Sequence, residues 1–153
     1  MSNFIIQRES IADMVMEAQP LLSLHYEEIA WRKDKIKLEP DWDQYARMEL
    51  MGNLIGYSGR VGGKLKGYAV FFVRPHLHYR NTLQAINDII FIHPSHRKGR
   101  SGIAMIQFAE EDLKSIGVQL ISYHIKRVLD WGPMAERLGY EEVETSHWKW
   151  VGV

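Results

Sequence analysis

The sequence predicts one α/β (α+β) domain over residues 1–153, with a mixed, mostly antiparallel central sheet flanked by about four helices. Three observations predict it. Apolar residues recur at helical spacing through the first fifty positions, then switch to strand-like runs from Leu54 onward. The pair Gly62-Gly63 sits between two such runs, as in a hairpin. Farther on, the apolar run Ile89–Ile92 passes through a short glycine-bearing turn into a second helical pattern at Ser101, which provides a crossover helix and layers the chain around one sheet.

In chain order, a short apolar start at Phe4–Ile6 precedes "SIADMVMEAQPLLSLHYEEIAW", where Ser10 is placed as an N-cap. Ile11, Met14, Val15, Ala18, Leu21 and Leu22, then Tyr26, Ile29 and Ala30, mark the buried stripe, with Pro20 as the site of a kink. The polar "WRKDKIKLEP" connects to a second helix from Asp43 to Leu50, capped by Asp41. "LIGYSGRVGGKLKGYAVFFVRP" reads as two paired strands, and "TLQAINDIIFIHP" as a third whose end is apolar on both faces. A helix from Ser101 to about Ile116 stops at Gly117, and "VQLISYHI" is a further strand. "GPMAERLGY" is a short helix ended by Gly139, and "EEVETSHWKWVGV" alternates like a closing hairpin.

Composition excludes several classes of function. Nineteen basic residues balance nineteen acidic ones, so no overall field draws the chain to nucleic acid or anionic lipid, and any anion site must be local. The chain has no cysteine, which removes disulfides, thiolate metal sites and a Cys nucleophile. No apolar run approaches a membrane span, and "MSNFIIQRES" is too polar for a signal peptide, so the expected location is cytoplasmic. The pairs His76/His78 and His93/His96 lack further ligands at metal-site spacing, and no metal is expected.

The stretch "HPSHRKGRSGIAMIQFAEEDL" carries the densest chemistry. Backbone N–H groups at a helix start, with the helix dipole behind them, make an anion site, and Gly99 and Gly102 leave room for a phosphate to approach. Arg97, Lys98 and Arg100 add charge beside Ser101 and Ile103. A solvated basic turn that only starts a helix fits the same spacing. Neither a Walker loop nor a G-x-G-x-x-G fingerprint is present.

The string "IIFIHPSHRKGRSGIAMIQFAEEDLKSIGV" resembles the acetyl-CoA segment of the GCN5-related N-acetyltransferases, where a central strand ends in a Val/Ile-x-Pro phrase followed by [Q/R]-x-x-G-x-[G/A]. Arg97 takes the first position and Gly102 the last, while Arg100 stands where a glycine is usual and Gly99 precedes it. "MAERLGY" is similar to the family's closing phrase, and the order of elements matches the family's fold. The resemblance implies an acetyl-CoA-dependent N-acetyltransferase using direct transfer to an amine. It implies that the backbone of Ile90, Phe91 and Ile92 lines the pantetheine arm and that the amides from Lys98 to Ile103 hold the pyrophosphate in a locally shifted loop; Met105, Ile106, Phe108 and Ala109, a helical turn further on, read as core by their spacing. It also implies that Asp88, sharing a strand face with Ile86, Ile90 and Ile92, deprotonates the amine; a carboxylate satisfied by backbone or by a neighbouring arginine fits the same position.

The sequence departs from the family at the thiolate. The usual tyrosine position is Ala135 and the usual asparagine lies near Val128, leaving Tyr123, His124 and Tyr140 as substitutes, although a coenzyme A thiolate also leaves without an acid. The resemblance implies that the loop with Trp31 and Glu28 walls the acceptor site and brings them to the amine, and packing with solvated charge is the other reading of the same stretch. The acceptor is open between a small-molecule and a protein amine, and a homodimer is compatible with the exposed edges of such a sheet. Two further readings stand beside the enzyme: a catalytically silent acyl-CoA-binding or sensing module, and a plain interaction domain.

Overall fold

The computed structural model describes residues 3–153, in which five strands and four helices form three layers. The sheet runs β1 (Ile5–Arg8), β2 (Leu54–Val61), β3 (Lys64–Pro75), β4 (Leu83–Ile92) and β5 (Leu120–Ser122), in that spatial order. Every neighbouring pair is antiparallel except β4 and β5, which are parallel and joined through a helix, as parallel pairing requires. Gly62 and Gly63 both take positive φ, 56° and 79°, the conformation that closes a two-residue hairpin without splaying its strands.

Helix α1 (Ile11–Ile29) begins where Ser10 accepts a bond from the Asp13 N–H, and it continues through Pro20. Helix α2 (Trp42–Leu50) is capped by Asp41, which accepts from the Gln44 N–H. The two helices are tied by Glu49, whose carboxylate accepts the free N–H of Ile11 at 3.1 Å. Their apolar stripes, with Ile11, Met14, Ala18, Trp42 and Met48, pack with Tyr68, Val70, Ile89 and Phe91 on one face of the sheet. Helix α3 (Ser101–Ser115) covers the other face, placing Met105, Ala109 and Leu113 against Tyr57, Ala69, Phe71 and Ala85. Phe108 departs from its expected core position: it is 38% exposed and touches Tyr57 only edge-on.

Helix α4 (Gly132–Arg137) is short and ends before Gly139, whose φ is 91°. The expected closing hairpin is absent: residues 141–153 form no strand. The alternating tryptophans are used differently. Trp148 packs edge-on to Trp31 at 6.0 Å and lies under the Lys126 ammonium at 3.8 Å, so the segment is drawn toward the end of α1 rather than onto the edge of β5. β5 is also shorter than "VQLISYHI", pairing with β4 only from Leu120 to Ser122.

Candidate functional site

The site is organised by an irregularity in β4. Val70 pairs with Ile89 and Phe71 with Asn87, so Asp88 is the extra residue of a β-bulge. The bulge shifts the alternation by one. Leu83 and Ala85 before it and Ile90 and Ile92 after it all pack toward α3, whereas Ile89 and Phe91 pack toward α1 and α2. The expected common face of Asp88 with Ile90 and Ile92 is therefore corrected: the bulge sends those two isoleucines to the opposite side. Asn87 holds the irregularity in place, its buried amide donating to the carbonyls of Val70 at 3.2 Å and Ile89 at 3.0 Å.

Beyond Ile86 and Ser122 the parallel ladder ends, and the last six residues of β4 have no strand on that side. This opens a splay beside Ile90, Phe91 and Ile92. The splay leads through one turn of 3-10 helix, Pro94–His96, to the start of α3. There the backbone N–H groups of Lys98, Gly99, Arg100, Ser101, Gly102 and Ile103 donate to nothing among the described residues, and Arg100 supplies no side-chain cap. Gly99 and Gly102 keep ordinary negative-side backbone angles, so their value lies in space. A Cβ on Gly99 would meet nothing within 4 Å, and one on Gly102 only the Met134 methyl at 3.8 Å. Six consecutive unsatisfied donors at a helix N-terminus, with Lys98 and Arg100 exposed beside them, form a positive surface.

Arg97 has a different role from its neighbours. Its guanidinium makes two bonds to Glu28 on α1, at 2.8 and 2.9 Å, and donates from Nε to the Ile92 carbonyl at 2.7 Å. It also lies 5.4 Å over the Phe91 ring. These contacts commit Arg97 to joining the turn, β4 and α1, and they place Glu28 in that lock instead of in the acceptor loop.

On the α1/α2 side of the bulge lies a cavity of about 400 Å³. Its floor is Tyr68, Val70 and Ile89, its sides are α1 and α2, and its rim includes Trp31 and Trp148. The α1–α2 connection forms part of the wall, fixed by the Tyr26 hydroxyl donating to the Ile36 carbonyl at 2.5 Å. Tyr45, on α2, lines the cavity and donates its hydroxyl to Asp88 Oδ2 at 2.5 Å. Asp88 is exposed as a residue, yet the protein around its carboxyl displaces enough water to raise its pKa above the usual value of 3.8. The Tyr45 bond and the nearby His124 oppose that shift. His25, also in the lining, is buried and its pKa is pushed down to about 4 by loss of hydration, so it is neutral at pH 7.

Tyr45 and His25 escaped the sequence reading because each sits at ordinary core spacing on its helix. Of the three substitute acids, Tyr123 and Tyr140 pack edge to face at 5.4 Å, while His124 stands apart near Asp88. Tyr140 donates to Glu110 at 3.1 Å, His124 is exposed, and the Tyr123 hydroxyl is enclosed without a partner among Phe71, Trp131 and Tyr140 rings. Ala135 is buried, leaving no tyrosine on α4. Among the described residues no group of three or more His, Asp or Glu side chains is placed to hold a metal, and no helix is long and apolar enough to cross a membrane.

The sequence matches no family model and no curated protein. Solved structures do match over nearly the whole chain. A GCN5-related N-acetyltransferase from Ralstonia eutropha JMP134 superposes with a TM-score of 0.77 at 17% identity, covering 98% of this chain and 100% of that one. An aminoglycoside acetyltransferase from an uncultured soil metagenomic sample gives 0.76 at 14% identity, over 98% and 97%. A predicted acetyltransferase from Clostridium acetobutylicum, solved with acetyl-CoA, gives 0.68 at 11% identity, over 97% and 96%. The bulged central strand, the splay beside it and the open helix start thus belong to a chain that has the fold of the GCN5-related N-acetyltransferases.

Proposed function

We propose that the protein is an acetyl-CoA-dependent N-acetyltransferase acting by direct transfer to an amine. The observation that carries this reading is the run of six unpartnered amides, 98–103, at the far end of the splay. A pyrophosphate satisfies such donors without any cation of its own, and the splay supplies an unpaired strand edge for an amide-bearing arm. The solved neighbour that contains acetyl-CoA supports the same ligand.

Acetyl-CoA supplies an activated acyl carbonyl and a thiolate leaving group. The residues of the chain do the rest. Lys98, Arg100 and the amides through Ile103 bind the phosphates, Ile90 and Phe91 offer main-chain groups, and Arg97 holds the turn against β4. An amine near the lysine pKa arrives protonated, so it must lose a proton before it can attack. Asp88 takes that proton, with Tyr45 fixing its carboxylate. The new C–N bond forms as the C–S bond breaks, the nitrogen releases its second proton to solvent, and the coenzyme departs as a thiolate with no change in the oxidation state of its sulfur.

The absence of a tyrosine at Ala135 favours one second reading, an acyl-CoA-binding module without turnover. Calorimetry with acetyl-CoA, followed by thiol release in the presence of amines, separates the two. Binding with transfer supports the enzyme, binding alone supports the module, and absence of binding overturns both.

A further inference from the structure

The cavity beside Asp88 has a wall chemistry that narrows the acceptor. Its aromatic faces come from Trp31, Trp42, Tyr68 and Trp148, and its volume, about 400 Å³, lies toward the small end of ligand pockets, roughly 300–1,000 Å³. Besides its tyrosines, the titratable side chains that line it are His25, Lys37, Glu39 and Lys126. His25 is neutral for the reason given above. Lys37 donates to the Lys33 carbonyl, and Lys126 lies over the Trp148 ring with no carboxylate partner among the described residues.

The carboxylates that a polycation would need are scarce. Glu28 is neutralised by Arg97, and Asp88 stands behind Tyr45 at the reacting end, which leaves Glu39 as the acidic side chain of the lining. A second ammonium on the acceptor would shed water against aromatic rings and face two lysines, an arrangement that costs free energy on both counts. An apolar ring gains from the same surface by burial and by aromatic contact.

We infer that the acceptor is a compact monoamine with an apolar, ring-bearing body that is neutral or acidic at the end remote from its amine. This rests on the acetyl-transfer reading. Lys126, carried beside Trp148, is the residue that selects against a remote positive charge.

The test is a panel of acceptors assayed by thiol release, with acetyl-CoA binding measured on the same preparation. The panel holds 2-phenylethylamine, tryptamine, phenylalanine, spermidine, kanamycin and a short peptide with a free alanine N-terminus. The expected result is a kcat/KM for the best ring-bearing monoamine about 100-fold above that for spermidine, kanamycin or the peptide. Lys126→Glu is expected to raise KM for phenylalanine and lower it for a ring-bearing diamine, each by about tenfold, with acetyl-CoA affinity unchanged. Lys126→Met, which keeps length without charge, should fall between and guards against a folding defect. Preference for a polycation or the peptide, or acetyl-CoA binding without transfer to any monoamine, overturns the inference. Failure of acetyl-CoA to bind overturns the acetyl-transfer reading itself, and the inference with it.

Discussion

Tyr45 on α2 donates its hydroxyl to the carboxylate of Asp88, the extra residue of the β4 bulge, across 2.5 Å. The bond lowers a carboxyl pKa that loss of hydration raises. A base must be ionised, so kcat/KM should rise with pH through the Asp88 pKa. Asp88→Asn should lower kcat/KM by about 10²- to 10⁴-fold and abolish that acidic limb. Tyr45→Phe removes a hydrogen bond that favours the charged carboxylate, so its acidic limb should move to higher pH; a limb that stays in place would detach Tyr45 from the base.

Gly102 separates folding from binding. A methyl there meets only Met134, at van der Waals distance, and alanine suits a helix better than glycine by up to about 1 kcal/mol. Gly102→Ala should therefore unfold at the same temperature or higher. Alanine also fits the last position of the resembled motif, so binding is tested with a bulkier side chain: Gly102→Leu, beside the free amides, should lower acetyl-CoA affinity measured by calorimetry by about tenfold. Unchanged affinity would remove the pyrophosphate from this helix start.

The three basic residues of the turn should behave differently. Arg97→Ala breaks the bonds to Glu28 and Ile92 and the contact with Phe91, and urea titration should show a loss of about 1–2 kcal/mol. Lys98→Ala and Arg100→Ala should leave stability within about 0.5 kcal/mol. Both should weaken acetyl-CoA binding, and the defect should shrink as salt rises.

Acid stability has one identified source on the β1 side. Arg60 bonds Glu9 and Glu17, and it holds the Glu9 carboxyl down at about 2. A depressed carboxyl stabilises the fold above its unfolded pKa and loses that contribution as pH falls from about 4.5 toward 2. The loss should be on the order of 1–3 kcal/mol, and Arg60→Met should flatten the dependence.

His25 adds a second, higher window. Its folded pKa of about 4 lies below the ordinary 6.5, so the unfolded chain binds the proton more readily. Stability should fall as pH drops from about 6.5 to 4, on the order of 2–3 kcal/mol. His25→Gln should remove this slope in denaturation curves taken at several pH values.

What was legible in the sequence was local. Ser10 and Asp41 cap as their types suggest, Gly62-Gly63 turns, and the amides at the start of α3 follow from a strand-turn-helix passage with no capping side chain. The bulge was hidden because Ile86, Asp88, Ile90 and Ile92 keep perfect alternation; its cause is the pairing of β3, which no window on β4 contains. The same limit misplaced "HWKW", whose alternation suits a strand but whose Trp148 is captured by Trp31 and Lys126 from distant segments. Tyr45 was invisible as a functional residue because Trp42 and Met48 flank it at the spacing of a buried stripe.

The bulge at Asp88 also makes β4 a strand whose count matters more than its letters. Its two halves are out of phase by one residue, so either half tolerates exchange of one aliphatic side chain for another. Deleting Asp88 would join Asn87 and Ile89 in one unbroken ladder opposite Phe71 and Val70, leaving Ile89 and Phe91 under α1 but removing the carboxylate that Tyr45 bonds. A β4 shortened by that one residue should therefore keep its core faces against an unchanged β3 and lose only the bulge, whereas a deletion elsewhere in the strand should turn one half of its apolar side chains over.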